Sequence, residues 1–370
     1  MRLTARIAVK EMSKILYTAS TWSHIRSFHL PYIEALRAQG HTVLTLASGE
    51  EADFNIPFRK KILAGENKAC RKMIREIVKR EDFDLVILNT SLAAFHIRLA
   101  LPKGKRPRVV NIVHGYLFPE KPKGIKARLK ALALCLAEKI NSGKTDAILT
   151  MNGEDIRIAT RNKLTRGELI QTLGMGVSRK PQRCDREALR AELNATDSFV
   201  MTFVGELSGR KNQKRLICDM PEILSFKPNA QLWLIGEGDA RGELEALIAE
   251  LGLEDCVKLL GRREGVYDYL YASDLYVSAA LSEGLPFNIV EALGAGLDVV
   301  ASDVKGQRDI LEGGSGILFD LGSGDGLVSG IKQASERKIP SELKEDTYLK
   351  YSFDRVFTDT LEKIKRAGGI

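Results

Sequence analysis

Residues 275–301, LYVSAALSEGLPFNIVEALGAGLDVVA, decide the fold. The stretch opens on a short apolar run, 275–278, and closes on a second, 299–301, with a helical pattern over 288–294 between them. Apart from the closing Ser278 the two runs are apolar and do not alternate with polar residues. Strands of that kind joined by a helix form parallel sheets covered on both faces. Working outward, the same alternation fills the second half of the chain. Strands are expected at 199–204, 232–235, 257–259 and 316–319, with helices near 213–224, 241–251, 266–271 and 325–336. The first half carries its own set, with strands at 14–19, 42–47, 85–89, 109–114 and 147–151 and helices near 23–39, 69–79, 91–99 and 124–141. Two sets joined near 174–185 predict an α/β chain of two doubly wound, Rossmann-like domains facing each other across a cleft, over 1–174 and 175–350. The length of 370 residues agrees, because single cores stop growing near 250–300 residues.

Composition narrows the class. With 44% hydrophobic and 28% charged residues the chain is neither disordered nor fibrous. Its longest apolar run, 131–137, is far short of the roughly 20 residues that cross a bilayer. The five cysteines form no CxxC pair, which argues against a disulfide framework or structural zinc and for a reducing compartment. No secretory h-region opens the chain, and Met12 begins a run that reads as a natural start, so residues 1–11 are expected to be an extension.

Charge is unevenly spread. Residues 1–180 hold 33 Lys and Arg against 16 Asp and Glu, while residues 181–370 hold 23 against 32. A basic half points to a polyanionic partner: nucleic acid, an anionic membrane face or a phosphate-bearing substrate. Nucleic acid is disfavoured, since no zinc-finger spacing, RNP-type strand or basic tail is present. In 124–141, Ile125, Leu129, Leu132, Leu136 and Ile140 recur at helical spacing among Lys126, Arg128, Lys130 and Lys139. Such a helix can lie on anionic headgroups or pack its apolar stripe on its own sheet.

Ligands of doubly wound sheets bind beyond the carboxyl ends of the strands, and four such loops collect the polar residues. Of the 32 glycines, 21 lie in 181–370, which favours that half for a nucleotide. Residues 204–213, VGELSGRKNQ, put Gly205 at a strand end and Arg210 and Lys211 at a helix start, where they suit a diphosphate. Alone, such a pair is more often plain surface charge. Residues 234–242, LIGEGDARG, place Gly236 and Gly238 in a tight turn, though the third glycine is one position late for a dinucleotide fingerprint. Residues 260–264, LGRRE, offer Arg262 or Arg263 to a base or to water. In residues 282–296, SEGLPFNIVEALGAG, a helix starting near Phe287 sets Glu291 one turn in and Glu283 in the loop above it. Carboxylates accept the paired hydrogen bonds of vicinal hydroxyls, and the free amides at a helix start can hold phosphate between two sugars. A bare pair of glutamates would read as a solvated helix face; the embedding loop makes it specific. Among the histidines, His114 ends a strand before Gly115 and is a site candidate, His24 is evenly balanced, and His29 and His96 are expected to be helix-surface or satisfied structural residues.

In this order, VGELSGRKNQ, LIGEGD, LGRRE, SEGLPFNIVEALGAG and VVASDVKGQRDIL resemble the retaining glycosyltransferases of family four over residues 198–320. TWSHIRSFHLPYIEALRAQGHTV and VNIVHGYLF are similar to the branch that builds capsular, exopolysaccharide and O-antigen repeat units. The resemblance implies the GT-B architecture, with a final helix over 351–370 returning to the first domain. It implies a nucleotide-sugar donor, UDP-linked in this branch, and a polyprenyl-diphosphate-linked saccharide acceptor at the cytoplasmic face of the cell membrane. By the same resemblance Glu283 contacts the donor sugar, Glu291 the ribose, and Arg210 and Lys211 the diphosphate. Amides near Leu285 and Phe287 complete the phosphate cradle, Gly205 and Gly236 keep the cleft walls low, and Arg262 lies on the nucleotide side. His114 approaches the donor from the acceptor side, domain closure about 174–178 brings it there, and no metal or other cofactor is needed. The scatter of the histidines along the chain agrees with the last point. Two positions depart from the family: Ser23 and His24 replace paired glycines after the first strand, and Asp298 stands in an expected turn where proline is usual. A catalytically silent nucleotide-sugar-binding subunit and a sugar-nucleotide epimerase of the same architecture are the alternatives.

Overall fold

The computed structural model describes residues 12–59, 64–102, 104–122, 124–177 and 185–370, so the expected N-terminal extension, Cys184 and much of the expected joint lie outside the described residues. Contacts divide the chain into two compact units, residues 1–175 with 356–370 and residues 176–355.

The first unit is built on seven parallel strands: β1 (Lys14–Thr21), β2 (Thr42–Ser48), β3 (Phe54–Asn55), β4 (Leu85–Asn89), β5 (Arg108–Val113), β6 (Ala147–Thr150) and β7 (Glu168–Gln171). Their spatial order is β3-β2-β1-β4-β5-β6-β7. The second unit repeats the plan with β8 (Phe199–Val204), β9 (Ala230–Ile235), β10 (Val257–Gly261), β11 (Leu275–Ser278), β12 (Asp298–Ser302) and β13 (Ile317–Phe319), ordered β10-β9-β8-β11-β12-β13. Both are Rossmann orders in which the sheet is wound outward in two directions from its first strand. The topological switch therefore lies between β1 and β4 in one unit and between β8 and β11 in the other. Buried strands explain why the apolar runs were legible: every residue of β4, β6, β9, β11 and β12 is buried.

The helices differ from expectation where proline intervenes. The helix expected over 23–39 is two, Trp22–Phe28 and Leu30–Ala38, with His29 between them and Pro31 in the first turn of the second. The helix expected over 213–224 likewise divides into Gln213–Cys218 and Met220–Phe226, with Pro221 in the first turn of the second. Proline has no N–H to give and its ring crowds the carbonyl four residues back, so each helix restarts there. The two-residue β3, the exposed-edged β7 and the helices Gly153–Asn162, Arg186–Glu192 and Ser341–Tyr351 had no expected counterpart. Asp298 is not in a turn. It begins β12 buried, bonded to Lys344 Nζ at 2.9 Å, and so ties the helix Ser341–Tyr351 to the sheet. After that helix the chain pairs Val177 with Phe353, and the last helix, Phe353–Gly368, runs into the first unit, where Thr360 donates to the Gly174 carbonyl at 3.0 Å.

The helix Ile125–Ile140 packs on the first unit through Ala131, with Leu134 and Cys135 beside it. The stripe of Ile125, Leu129, Leu132, Leu136 and Ile140 is instead exposed, each residue by 56–78%. The reading in which that stripe packs on its own sheet is thereby overturned. A second, narrower face of small and medium residues does the packing, and a buried Arg98–Glu138 ion pair at 2.8 Å pins the helix.

Candidate functional site

At the switch point of the second unit, the loops after β8 and β11 meet. Asn212 Nδ2 donates to the Ala279 carbonyl at 3.0 Å, and the Leu281 amide donates to the Arg210 carbonyl at 2.8 Å. That backbone bracing sets three charged side chains together. Lys211 Nζ lies 2.5 Å from Glu283 Oε1, and Arg210 Nη1 lies 2.9 Å from Glu283 Oε2 and 2.9 Å from the Ser282 carbonyl. Glu283 and Lys211 are buried, while Arg210 is nearly half exposed. Two cations against one carboxylate leave a surplus positive charge on the solvent side, which is the arrangement a diphosphate needs.

Glu291 is half-buried on the helix Phe287–Gly294, one turn from its start as expected, with no ion pair or hydrogen bond among the described residues. Loss of water without a compensating cation pushes its pKa up to about 7. It lies close enough to Tyr267 to help burial hold that phenol above its ordinary range. The Tyr267 hydroxyl and, in the loop after β8, the Ser208 hydroxyl are buried without a hydrogen-bond partner. Orphaned polar atoms on both sides of the loop cluster mark groups that water or a polar ligand can satisfy. Sequence reasoning had singled out neither, because a lone Tyr or Ser carries no spacing signal.

The helix Phe287–Gly294 is braced by Asn288, whose Nδ2 donates to the carbonyl of Val204 at the end of β8. Leu285 is buried just ahead of the helix and Phe287 opens it. Gly205 and Gly236 lie side by side at the ends of β8 and β9. A Cβ on Gly236, whose φ is +142°, would stand 2.0 Å from the Gly205 carbonyl oxygen, so glycine is required there for backbone packing as well as for any ligand. Gly306 approaches the site loop the same way, with a Cβ position 2.4 Å from the Gly284 oxygen. Arg262 is exposed after β10 and makes no contact with the Glu283 cluster; its neighbour Arg263 lies over the Tyr269 ring.

In the first unit, His114 follows β5 and is joined by two other histidines. One ring nitrogen of each of His24, His29 and His114 lies within 4.8 Å of the others. Burial keeps all three neutral: it lowers the His24 pKa to about 4 and holds His29 and His114 well below the ordinary value. His29 is fully buried, so it is not a helix-surface residue, and its Nε2 has no partner. His96 is also fully buried, within the helix Ser91–Ala100, and is contacted by Arg71, Phe58 and Phe95. Beside the cluster, Thr90 holds φ +62°, an outlying conformation for a β-branched residue, and accepts from the Ser20 amide at 2.9 Å. The Ser23–His24 segment that replaces paired glycines is the first turn of the helix Trp22–Phe28.

Residues 185–350 match the family described as glycosyl transferases group 1. The matched span contains Arg210, Lys211, Glu283 and Glu291. Over longer spans the chain is similar to EpsD of Bacillus subtilis, which carries a glycosyltransferase name, at 28% identity covering 86% of this chain and 87% of that protein. It is 25% identical to an Escherichia coli UDP-Gal:α-D-GlcNAc-diphosphoundecaprenol α-1,3-galactosyltransferase, covering 71% of this chain and 69% of that one. Among solved structures, HepE of Anabaena in complex with UDP and glucose superposes with a TM-score of 0.75 at 19% identity, covering 96% of this chain and 100% of that one. WaaG, a glycosyltransferase involved in lipopolysaccharide biosynthesis, gives 0.72 at 17% identity, covering 95% and 99%. These likenesses establish the GT-B fold.

Proposed function

We propose that the protein is a retaining glycosyltransferase that moves a hexose or N-acetylhexosamine from a UDP-linked donor to a saccharide carried on polyprenyl diphosphate, in the synthesis of a bacterial surface polysaccharide. The observation that carries this reading is the gathering of Arg210, Lys211 and Glu283 at the switch point of the second unit. The galactosyltransferase relative, whose name gives a UDP-linked donor and a diphosphoundecaprenol acceptor, supports the choice of substrates.

In the proposed reaction, the bond between the anomeric carbon and the β-phosphate oxygen breaks, and the nucleoside diphosphate leaves with the electron pair. The acceptor hydroxyl oxygen bonds to the same carbon on the same face, and its proton passes to an oxygen of the departing diphosphate. Arg210 and Lys211 offset the charge that grows on that group, so no metal is called for. Glu283 holds both cations and uses its remaining lone pairs for donor-sugar hydroxyls. Glu291 takes the ribose hydroxyls, the amides of Leu285 and Phe287 cradle phosphate, and Gly205, Gly236 and Arg262 border the nucleotide. His114 supplies a neutral imidazole to the sugar from the acceptor side. The exposed apolar stripe of the helix Ile125–Ile140, flanked by Lys126, Arg128 and Lys130, supports peripheral contact with the anionic cytoplasmic face of the membrane, where the acceptor resides. No helix among the described residues is long and apolar enough to cross a membrane.

The test is transfer from radiolabelled UDP-sugars into membrane lipid extract. A lipid-linked product is expected, and Lys211→Ala should lower turnover by roughly 10²–10³, the scale for losing one preorganised electrostatic group. Unchanged turnover in that variant removes the assignment of Lys211. Binding without product favours the silent subunit, and alteration of the free nucleotide sugar favours the epimerase.

A further inference from the structure

We infer that His24, His29 and His114 form a three-imidazole site for a divalent transition ion of the zinc class, with a fourth coordination position open to water or a ligand hydroxyl. The inference stands on the first unit alone and does not depend on the transferase reading.

The fold builds the cluster from three separate places. His24 comes from the helix that follows β1, His29 from the break that Pro31 imposes between two helices, and His114 from the end of β5. All three converge beside the β1–β4 switch point, where doubly wound sheets place ligands. The rings face one another closely, with centroids 4.7 Å apart for His24 and His114, 5.1 Å for His29 and His114, and 5.2 Å for His24 and His29. Three imidazoles packed together without a carboxylate among them do not neutralise one another by hydrogen bonding. The Nε2 atoms of His24 and His29 are instead buried with no partner. An orphaned nitrogen in the fully buried His29 is a cost that a bound ion removes.

The outer contacts already orient the rings as ligands. Asn89 Nδ2 donates to the Thr18 carbonyl at 3.0 Å, which turns Asn89 Oδ1 toward His114 Nε2 at 3.3 Å. That nitrogen therefore carries the proton, and His114 Nδ1 keeps its lone pair. His29 Nδ1 lies 2.9 Å from the Tyr17 hydroxyl, so a proton there can be donated to Tyr17 while Nε2 is free to coordinate. An imidazole held through its other nitrogen is the usual second contact of a metal-bound histidine. Neutral imidazole suits zinc, copper, nickel and iron, and three histidines plus an open position is a known zinc arrangement, whereas magnesium and calcium prefer oxygen. Zn–N bonds of about 2.0–2.1 Å place tetrahedral ligands about 3.3 Å apart, so the nitrogens need to close by about 1.5 Å at most from their present separations.

The full chain, stripped with a chelator, is titrated with Zn2+ against a chromophoric competitor, and separately with Co2+ followed by its visible absorption. One saturable equivalent of Zn2+, unaffected by excess Mg2+, and a Co2+ spectrum of low-coordinate type are expected. His24→Gln and His29→Gln should each weaken Zn2+ binding by more than the 10–100-fold that loss of an outer-shell partner brings, and Tyr17→Phe by about that amount. His41→Gln, a histidine outside the cluster, should leave it unchanged. Because His29 is buried, circular dichroism of each variant accompanies the titration, and the half-buried His24→Gln decides the matter if His29→Gln does not fold. Absence of a saturable equivalent, or an equivalent retained in His24→Gln, overturns the site. Sugar transfer is read without added metal, so failure of this site and failure of the transferase reading are told apart, and a confirmed site replaces the role proposed above for His114 as a free imidazole.

Discussion

Glu283 and Glu291 leave the same loop and helix eight positions apart, yet one holds two cations and the other holds none. The difference has a measurable consequence. An ionised Glu291 can accept two ribose hydroxyls, while the neutral acid favoured by burial has lost that capacity. Donor affinity should therefore rise as the pH climbs through about 7, and isothermal titration with a UDP-sugar at pH 6 and pH 8 measures it. The free protein should show the opposite trend in stability. A pKa raised from 4.5 to about 7 contributes stability that is complete below 4.5 and is lost as the pH rises through 7, by up to roughly 3 kcal/mol. Glu291→Gln should flatten both profiles; a pH dependence unchanged in that variant would falsify the role of Glu291. The carboxylates, Arg210 and Lys211 were legible because their loop spacing is local. The three-histidine cluster was not, because 85 residues of chain separate His29 from His114 and no local pattern links them.

At the scale of elements, the helix Ile125–Ile140 shows where periodicity stops being informative. Its apolar spacing announced a helix, and the helix is there, but the spacing did not say which face is buried. Ala131 packs inward while five large apolar side chains meet solvent, and only the neighbouring structure could decide that. Since these side chains contribute little to the core, replacing Leu129 and Leu136 by serine should leave the melting temperature within about 2 °C, as surface substitutions usually stay within about 0.5 kcal/mol. The same double variant should lose cosedimentation with vesicles rich in anionic lipid. Equal vesicle binding by both proteins would remove the membrane-facing role of this stripe. Elsewhere, the prolines at 31 and 221 were in plain view, and their effect follows from the missing N–H. The short, exposed edge strands β3 and β7 were not readable, since two to four residues without a buried face carry no hydrophobic signal.

For the whole molecule, charge is divided by sequence half, with a formal surplus of +17 in residues 1–180 and a deficit of −9 in residues 181–370. If that surplus serves an anionic surface, vesicle association should weaken at least about tenfold between low salt and 1 M salt, where the screening length falls to roughly 3 Å. Flotation assays across a salt series read the slope, and a salt-independent association would point to the apolar stripe alone. The alternation of the main strands and helices, the two-sheet plan and the glycine-bearing loops of the second unit were set by the sequence, because each rests on hydrophobic period, glycine and proline acting over a few residues. The packed fold alone chose the buried face of each helix, the charge pairing of Glu283, the isolation of Glu291 and the meeting of three histidines. Those depend on which distant segments share a boundary and how much water they exclude, and a linear chain does not record either until it is packed.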